Sequence, residues 1–234
     1  MEIERIAKAA DGEPAVETAG LSLERGGRLL FKRMSWQVPA GRFLAVTGPS
    51  GSGKTSLLAC LRGNLAAAEG SISFASPDPR QVGTVFQHLR LTNELTVLTN
   101  VLCGCLGRYT WWRTLAGFAS AERERAFALI TDLGLEDLVH KPIRNVSGGE
   151  QQRTAIARVL LQDPAVILAD EPTSNLDLAL AEKVLSRFRE LCTASGKTVI
   201  SVLHDQDLVE RFADMELRIS SDFENGWSLR TINH

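Results

Sequence analysis

Two hydrophobic patterns alternate along the chain, and together they predict its elements. The first is a short apolar run bounded by turn residues, which is typical of β-strands. Residues 15–47 follow this pattern and are predicted to form short strands, with turns at Gly26-Gly27 and at residues 39–41. Further strands are predicted at residues 71–74, 82–86, 166–169 and 198–203.

The second pattern places an apolar residue at every third or fourth position, which indicates a helix with one buried face. It predicts a helix through Ala126, Ile130 and Leu133 that ends at Gly134. Further helices are expected from Lys54 to near Gly63, from residue 147 to about 162, and through residues 181–191 to near Gly196.

Strands that alternate with helices predict an α/β fold with a mostly parallel sheet, here preceded by an N-terminal antiparallel β-subdomain. Residues 88–146 contain helices and loops, so we expect an inserted α-helical lobe there. Residues 15–87 and 147–219 would then form one core. Residues 1–14 and 220–234 are taken as terminal extensions, and the second of these is polar and predicts no element.

A glycine-rich segment follows the strand at residues 42–47 and opens the next helix. It fits the P-loop pattern G-x-x-x-x-G-K-[ST], whose backbone N–H groups and helix N-terminus hold phosphate. Lys54 would reach the β- and γ-phosphates, and the Thr55 hydroxyl would bind Mg²⁺. We therefore predict a P-loop NTPase core that binds a nucleoside triphosphate. The predicted phosphate-binding residues are Gly48, Pro49, Ser50, Gly51, Ser52, Gly53, Lys54, Thr55 and Ser56.

Composition excludes some classes of function and leaves the predicted fold as it is. The formal charge of -2 argues against a nucleic-acid partner held by a basic face. Residues 1–14 lack a secretory signal pattern, and no stretch is apolar enough for a spanning helix, so any membrane role is expected to depend on a partner. Cys103 and Cys105 have a poor zinc spacing, which favours reduced structural thiols.

Two carboxylates follow the apolar strand at residues 166–169. Asp170 would hold Mg²⁺, largely through water, opposite Thr55. Glu171 would face the γ-phosphate and polarise the attacking water. Strands often end in solvated acids, so this pair gains its meaning from the P-loop that precedes it.

The helix that begins at Ser147 suggests a second anion-binding end. Ser147 and Glu150 fit the capping box S-x-x-E, which satisfies free N–H groups at a helix start. A capping box does not require Gly148 and Gly149, which allow a close approach of the backbone to a ligand. We therefore predict that Ser147, Gly148, Gly149 and Glu150 contact nucleotide.

In this order and spacing, these segments resemble the motifs of ABC-transporter ATPase subunits from about residue 17 to 219. The resemblance implies ATP and Mg²⁺ as ligands and a head-to-tail homodimer, in which the Ser147 helix of one chain closes over ATP on the P-loop of the other. Gln87 would ligate Mg²⁺ and couple to a membrane partner, and His204 would contact the γ-phosphate. The matching residues are 48–55 (Walker A), 87 (Q-loop), 147–151 (signature), 166–171 (Walker B), 174–177 (D-loop) and 204 (switch histidine).

The resemblance also implies partners and a location. Such a subunit lies peripherally on the cytoplasmic face of the cell membrane, bound to integral membrane permease subunits. An importer of this kind also uses a periplasmic or lipid-anchored substrate-binding protein. Trp111 and Trp112 fall in the lobe that contacts the permease, and we expect one to pack inward and the other to line the docking surface.

Different segments resemble different subfamilies. Residues 100–102, 106–108 and 111–115 are similar to ATPases of phosphonate importers. Residues 169–177 are closer to lipoprotein-release and macrolide-efflux ATPases, and residues 24–31 to the haem exporter. Phosphonate or oxyanion import therefore leads, with an export or lipoprotein-release ATPase and an accessory ATPase of a phosphonate-degrading complex as alternatives.

One position departs from the family pattern. These ATPases usually stack an aromatic ring on adenine from the segment that precedes the first turn, and here that segment ends in Arg25. A guanidinium can stack on a base, which predicts modest ATP affinity and weak purine discrimination. The alternative is that Arg25 is solvated and that another side chain, such as Phe31, covers the base.

Overall fold

The computed structural model describes residues 14–108 and 117–233. Nine strands and six α-helices follow one another in these residues, joined by turns and short 3₁₀ segments. The strands are β1 (Pro14–Arg25), β2 (Arg28–Pro39), β3 (Phe43–Thr47), β4 (Glu69–Phe74), β5 (Val82–Val85), β6 (Val166–Ala169), β7 (Thr198–Val202), β8 (Met215–Ile219) and β9 (Trp227–Thr231). The helices are α1 (Lys54–Leu61), α2 (Val97–Leu102), α3 (Ser120–Asp132), α4 (Gly148–Gln162), α5 (Leu178–Ser195) and α6 (Gln206–Phe212).

The N-terminal sheet is antiparallel, with strand order β2-β1-β4. The prediction of short strands here was wrong, because β1 and β2 are each 12 residues long. The turn at Gly26-Gly27 joins them as predicted. Irregular pairing between Thr18 and Glu24 interrupts the strict alternation along β1, and this interruption made one long strand resemble several short ones.

The main sheet has the strand order β5-β6-β7-β3-β8-β9. Its first five strands are parallel, as predicted, and β3 lies between β7 and β8. Parallel strands place their carboxyl ends at one edge, where ligand groups gather. The P-loop leaves this edge after β3, Asp170 follows β6, and His204 follows β7 after Leu203.

The last strand, β9, joins the main sheet antiparallel to β8. No element was predicted in this polar stretch. Its stability comes from cross-strand partners, because Arg230 lies opposite Glu216 and its Nε donates to the buried Glu216 carboxylate at 2.6 Å. The Trp227 indole also donates to the carbonyl oxygen of Lys32 in β2 at 3.1 Å, which connects the two sheets.

Both faces of the main sheet are covered, as a parallel sheet requires. One face packs with α1 and the N-terminal sheet around Trp36 and Leu57. The other face packs with helices α2 to α6, and the rings of Phe43 and Phe188 meet there edge to face, with centroids 6.4 Å apart. Among the described residues, no helix is both long and apolar enough to cross a lipid bilayer.

The described part of the segment between β5 and α4 is made of helices, 3₁₀ turns and loops, as predicted, and it packs against α4. Its first helix, α2, begins after the N-cap residue Thr96, whose hydroxyl accepts a hydrogen bond from the Thr99 N–H. Asn100 is buried, and its side-chain amide donates to carbonyl oxygens of the preceding loop, including that of Thr92 at 3.1 Å. Trp111 and Trp112 lie outside the described residues. Cys103 and Cys105 are free thiols.

The pairing of β8 with β9 generates a stability prediction. In Arg230→Ala the buried Glu216 carboxylate loses a charged donor, while water still screens a side chain that is 51% exposed. We expect the free energy of unfolding to fall by about 1.5 kcal/mol. Urea denaturation followed by tryptophan fluorescence measures this loss. The matched control is Arg80→Ala, since Arg80 forms an exposed pair with Asp78. An equal loss in both variants would contradict the importance given to the cross-strand pair.

Candidate nucleotide-hydrolysing site

The P-loop wraps around a point just beyond the end of β3. Gly48, Gly51 and Gly53 all adopt positive φ, with values of 136°, 76° and 109°. At Gly48 a Cβ atom would lie 2.1 Å from the carbonyl oxygen of Ile219, so only glycine fits between the loop and β8. This path directs successive backbone N–H groups towards one point, which is the geometry of an anion-binding nest.

Lys54, at the start of α1, belongs to this loop as much as to the helix. Its ammonium group donates to the carbonyl oxygens of Gly48 and Pro49 at 2.8 and 2.9 Å. Burial lowers the pKa of Lys54 from its usual value, although the carboxylates of Glu171 and Asp170 oppose this effect. The loop therefore holds the ammonium group of Lys54 at its centre.

Thr55 and Asp170 come together across the edge of the sheet. The Thr55 hydroxyl donates to Asp170 Oδ1 at 3.2 Å. Burial raises the pKa of Asp170, while the hydrogen bond from Thr55 acts in the opposite direction. A hydroxyl and a carboxylate are the hard oxygen ligands that Mg²⁺ prefers, so this pair fits that metal. No cluster of three or more metal-binding His, Cys, Asp or Glu side chains occurs among the described residues.

Glu171 and His204 form a second pair beside the first. The Nε2 atom of His204 lies 2.8 Å from Glu171 Oε1, within hydrogen-bond distance. The pairing links the ends of β6 and β7, which are neighbours in the sheet. A carboxylate and an imidazole are thus held close to the P-loop, an arrangement that could activate a water molecule.

The backbone of Glu171 is left-handed, with φ of 52°, which is uncommon for a residue with a side chain. Its carbonyl oxygen accepts hydrogen bonds from the Gln152 amide in α4 at 3.3 Å and from the Ser174 hydroxyl at 3.1 Å. Strained backbone of this kind persists where its surroundings fix it, often at functional sites. The sequence pattern did not indicate a role for Gln152.

A cleft of about 690 Å³ lies over the P-loop and collects most of the predicted site residues. This volume lies within the range of small-molecule sites. His204 does not line the cleft itself, but contacts it through Glu171. The lining residues include Ser50, Gly51, Gly53, Lys54, Thr55, Ser56, Arg25, Gln87, Asp170 and Glu171.

The signature residues lie elsewhere. Ser147 caps α4 with its hydroxyl, and the Glu150 carboxylate accepts from the Ser147 N–H at 2.6 Å, which completes the predicted capping box. At Gly149 a Cβ atom would lie 3.1 Å from the carbonyl oxygen of Asn175, so this turn lies against the segment after Glu171. Ser147, Gly148, Gly149 and Glu150 are not among the residues that line the cleft of their own chain.

Arg25 lies at the wall of the cleft, and its guanidinium donates to the Ser56 hydroxyl at 3.1 Å. The alternative that Phe31 covers the base is wrong, because Phe31 is only 1% exposed and packs in the core. Leu30 lines the cleft instead and lies directly over Gly53, where a Cβ atom would come within 3.0 Å of its side chain.

Three residues at the other end of the cleft were not predicted. The guanidinium carbons of Arg62 and Arg90 lie 4.7 and 3.9 Å from the centroid of the Phe86 ring. All three residues line the cleft close to Gln87. Phe86 directly precedes Gln87, but no signal in the sequence links it to an arginine at the end of α1.

The fold and the site together define a P-loop enzyme that hydrolyses a nucleoside triphosphate. The profile of the ABC transporter family matches residues 31–174, and the chain belongs to that family. It is therefore an ATP-binding subunit with ATPase activity. The signature helix and the P-loop, which lie apart in the chain, are both motifs of this family.

Individual proteins of the family show which of its members this chain resembles. The phosphonates import ATP-binding protein PhnC of Trichormus variabilis is 39% identical over 195 residues, which cover 80% of each chain. A dimeric ATP-binding cassette in a post-hydrolysis state, bound to ADP and Pi, is similar with a TM-score of 0.80 and 27% identity, over 94% of this chain and 99% of that one. The protein cbiO1 of Clostridium perfringens, part of an ABC transporter complex, is similar with a TM-score of 0.71 and 26% identity, over 88% and 84%.

The position of Arg25 generates a binding prediction. If its guanidinium stacks on adenine, an aromatic ring at this position should bind the base better, and Arg25→Tyr should bind ATP about threefold more tightly than the wild type. Arg25→Ala should bind ATP about threefold less tightly. Titration with a fluorescent ATP analogue measures all three proteins, and competition by GTP measures purine preference. Equal affinities would mean that Arg25 does not contact the base.

Proposed function

We propose that this protein is the ATP-hydrolysing subunit of an importer for phosphonates or related oxyanions. The observation that carries the proposal is the convergence of the P-loop, Asp170, Glu171 and His204 at one cleft, in a chain similar to phosphonates import ATP-binding proteins. Relatives from several bacteria carry that name, at 32 to 39% identity. The likeness of residues 169–177 to efflux and lipoprotein-release ATPases is confined to one segment.

The predicted site residues at the cleft and beside it have distinct roles in this proposal. The P-loop backbone and Lys54 bind the phosphates, and Arg25 contacts the base. Glu171 orients the attacking water and accepts its proton, and His204 contacts the γ-phosphate. The distance of 2.8 Å between His204 Nε2 and Glu171 Oε1 supports the two acting together.

Magnesium is the metal that this donor set suits. Thr55 and Asp170 would hold it, and Gln87 would contribute its amide oxygen from the wall of the cleft. Bound there, Mg²⁺ supplies positive charge that offsets the negative charge of the phosphates. Thr55 and Asp170 are already paired, so little side-chain movement is needed to form the site.

Two copies of the chain complete the catalytic site in a head-to-tail dimer. The signature residues Ser147, Gly148, Gly149 and Glu150 lie away from the cleft of their own chain, and the helix they open presents its N-terminus outward. A helix N-terminus attracts phosphate, so the ATP on the P-loop of a second chain is the ligand that it would bind. The similar cassette bound to ADP and Pi is dimeric.

The remaining partners follow from the importer role. The core of residues 15–87 and 147–219 would carry the chemistry, and the lobe of residues 88–146, with Trp111 and Trp112, would bind integral membrane permease subunits. The protein would then lie peripherally on the cytoplasmic face of the cell membrane. A periplasmic or lipid-anchored substrate-binding protein would deliver the phosphonate to the permease.

Transport is tested in cells. A strain without this subunit should fail to take up a radiolabelled phosphonate, and the wild-type gene should restore uptake where Glu171→Gln does not. Permease subunits should also copurify with the tagged protein. Normal phosphonate uptake in the deletion strain would contradict the import role and favour export, lipoprotein release or an accessory role in phosphonate degradation.

The role of Glu171 generates a prediction about catalysis. Glu171→Gln should bind ATP with nearly wild-type affinity, because its phosphate contacts persist, but its turnover should fall about 1,000-fold because water activation is lost. Lys54→Ala is the contrasting control, in which binding itself should weaken. Phosphate release and nucleotide titration separate the two effects. Turnover of Glu171→Gln close to the wild-type rate would exclude Glu171 as the base.

The head-to-tail dimer generates a mixing prediction. Lys54→Ala and Ser147→Arg should each be inactive alone, whereas a mixture of the two should recover part of the ATPase rate. One site of each mixed dimer would combine an intact P-loop with an intact signature helix. The rate is measured against mixing ratio after subunit exchange has been verified by differential labelling. A rate that never exceeds the sum of the separate variants would contradict the shared site.

A further inference from the structure

The segment that carries Gln87 has an unusual backbone. Leu89 and Arg90 both have positive φ, 29° and 49°, although neither is glycine. Such residues are uncommon outside glycine, and consecutive ones require support from their surroundings. The Leu89 N–H donates to the carbonyl oxygen of Phe86 at 3.0 Å, which closes a tight turn around Gln87.

The support comes from α4. The Arg158 guanidinium donates from one nitrogen to the carbonyl oxygen of Leu89 at 2.7 Å and from another to that of Arg90 at 2.8 Å. The planar fork of arginine suits two acceptors held side by side, which a lysine cannot match. Burial lowers the pKa of Arg158 from its usual value, with the Cys103 thiol acting in the opposite direction.

A second set of contacts holds the same turn. The guanidinium groups of Arg62, at the end of α1, and of Arg90 each lie over the Phe86 ring. The Nε and Nη1 atoms of Arg62 are buried and have no hydrogen-bond partner among the described residues. Cation–π contacts of this kind gain strength where water is excluded.

These contacts hold the backbone on both sides of Gln87, which lines the same cleft as Thr55 and Asp170. The turn cannot shift without losing two charged hydrogen bonds to Arg158 and the stacking between Arg62, Phe86 and Arg90. The cleft wall formed by Arg62, Phe86 and Arg90, next to Gln87, is therefore held by α1 and by α4 together. Neither contact was indicated by the sequence.

We propose that Arg158 is a positioning residue, which holds the Leu89–Arg90 turn so that Gln87 presents its amide oxygen at the magnesium site. The inference rests on the proposed role of Gln87 as a magnesium ligand. In this role Arg158 does not contact the phosphates, and it acts only by holding the turn. Loss of its two hydrogen bonds should free the turn and weaken the use of magnesium while leaving the P-loop intact.

The test compares Arg158→Ala with Arg153→Ala. Both arginines lie on α4 and donate to backbone carbonyls, but Arg153 donates to Leu133, away from the turn. Arg158→Ala should raise the Mg²⁺ concentration for half-maximal binding of a fluorescent ATP analogue about tenfold, whereas Arg153→Ala should change it less than about twofold. Binding of the analogue in EDTA should change less than about twofold in both variants.

Hydrogen exchange supplies a readout that is independent of magnesium. The peptide containing residues 86–91 should exchange faster in Arg158→Ala than in the wild type or Arg153→Ala, because its turn has lost its support. Exchange in the P-loop should not change. Faster exchange throughout the chain, together with weaker binding in EDTA, would show a general structural role and would overturn the proposal.

A double-mutant cycle with Gln87→Ala separates the possible failures. If Arg158 acts through Gln87, the double variant should need no more Mg²⁺ than Gln87→Ala alone. Additive effects, or an effect of Gln87→Ala without one of Arg158→Ala, would overturn the positioning role and leave Gln87 as a ligand. If Gln87→Ala has no effect, both the ligand role and the positioning role fail.

Two milder variants keep the test decisive if Arg158→Ala does not fold. Arg158→Lys keeps the charge but cannot reach both carbonyls, and it should raise the Mg²⁺ requirement about threefold. Phe86→Leu removes the ring that Arg62 and Arg90 contact and should have a similar effect, which Phe86→Tyr should largely avoid. An unshifted Mg²⁺ requirement in both Arg158→Lys and Phe86→Leu would overturn the proposal.

Discussion

The close approach of the P-loop to β8 is the constraint on which the rest of the site depends. Gly48 lies against the carbonyl oxygen of Ile219, so the chain leaves β3 along a path that no side chain at this position would allow. That path fixes where the N–H groups of residues 48–53 point and where α1 begins. Thr55 then lies within hydrogen-bond distance of Asp170, and both side chains line the cleft.

The same edge of the sheet explains why residues distant in sequence share one site. Strands β6, β7 and β3 are parallel neighbours, so the residues that follow them emerge side by side. Asp170, Glu171 and His204 could be predicted to lie together on this ground alone, because each follows an apolar run. Thr55 was also predicted to lie opposite Asp170, because the P-loop pattern places its hydroxyl there. The hydrogen bond from Gln152 to the Glu171 carbonyl could not be predicted, since it depends on how the helix that carries Gln152 is oriented in the complete fold.

Predictions from the sequence succeeded where the signal was local. Gly63, Gly134 and Gly196 follow helices and have positive φ, and Ser147 caps α4, as their residue types indicate. The predictions failed where an element is stabilised by residues that are distant in sequence. The strand β9 contains Ser228 and Arg230, and it pairs with β8, where Arg230 lies opposite the buried Glu216 and donates to its carboxylate. The stack of Arg62, Phe86 and Arg90 likewise joins parts of the chain that share no pattern.

Helix α4 connects the backbone of Glu171, the turn after β5 and the signature residues at its own N-terminus. Its N-terminus carries Ser147, Gln152 in its first half holds the left-handed Glu171 through its carbonyl, and Arg158 in its second half holds the left-handed turn at Leu89. Left-handed backbone survives at both places because α4 supplies the hydrogen bonds. A movement of α4 would therefore alter Glu171 and the Gln87 turn together. In a dimer whose signature residues meet the other chain's ATP, the same movement would link closure of one site to the geometry of the other.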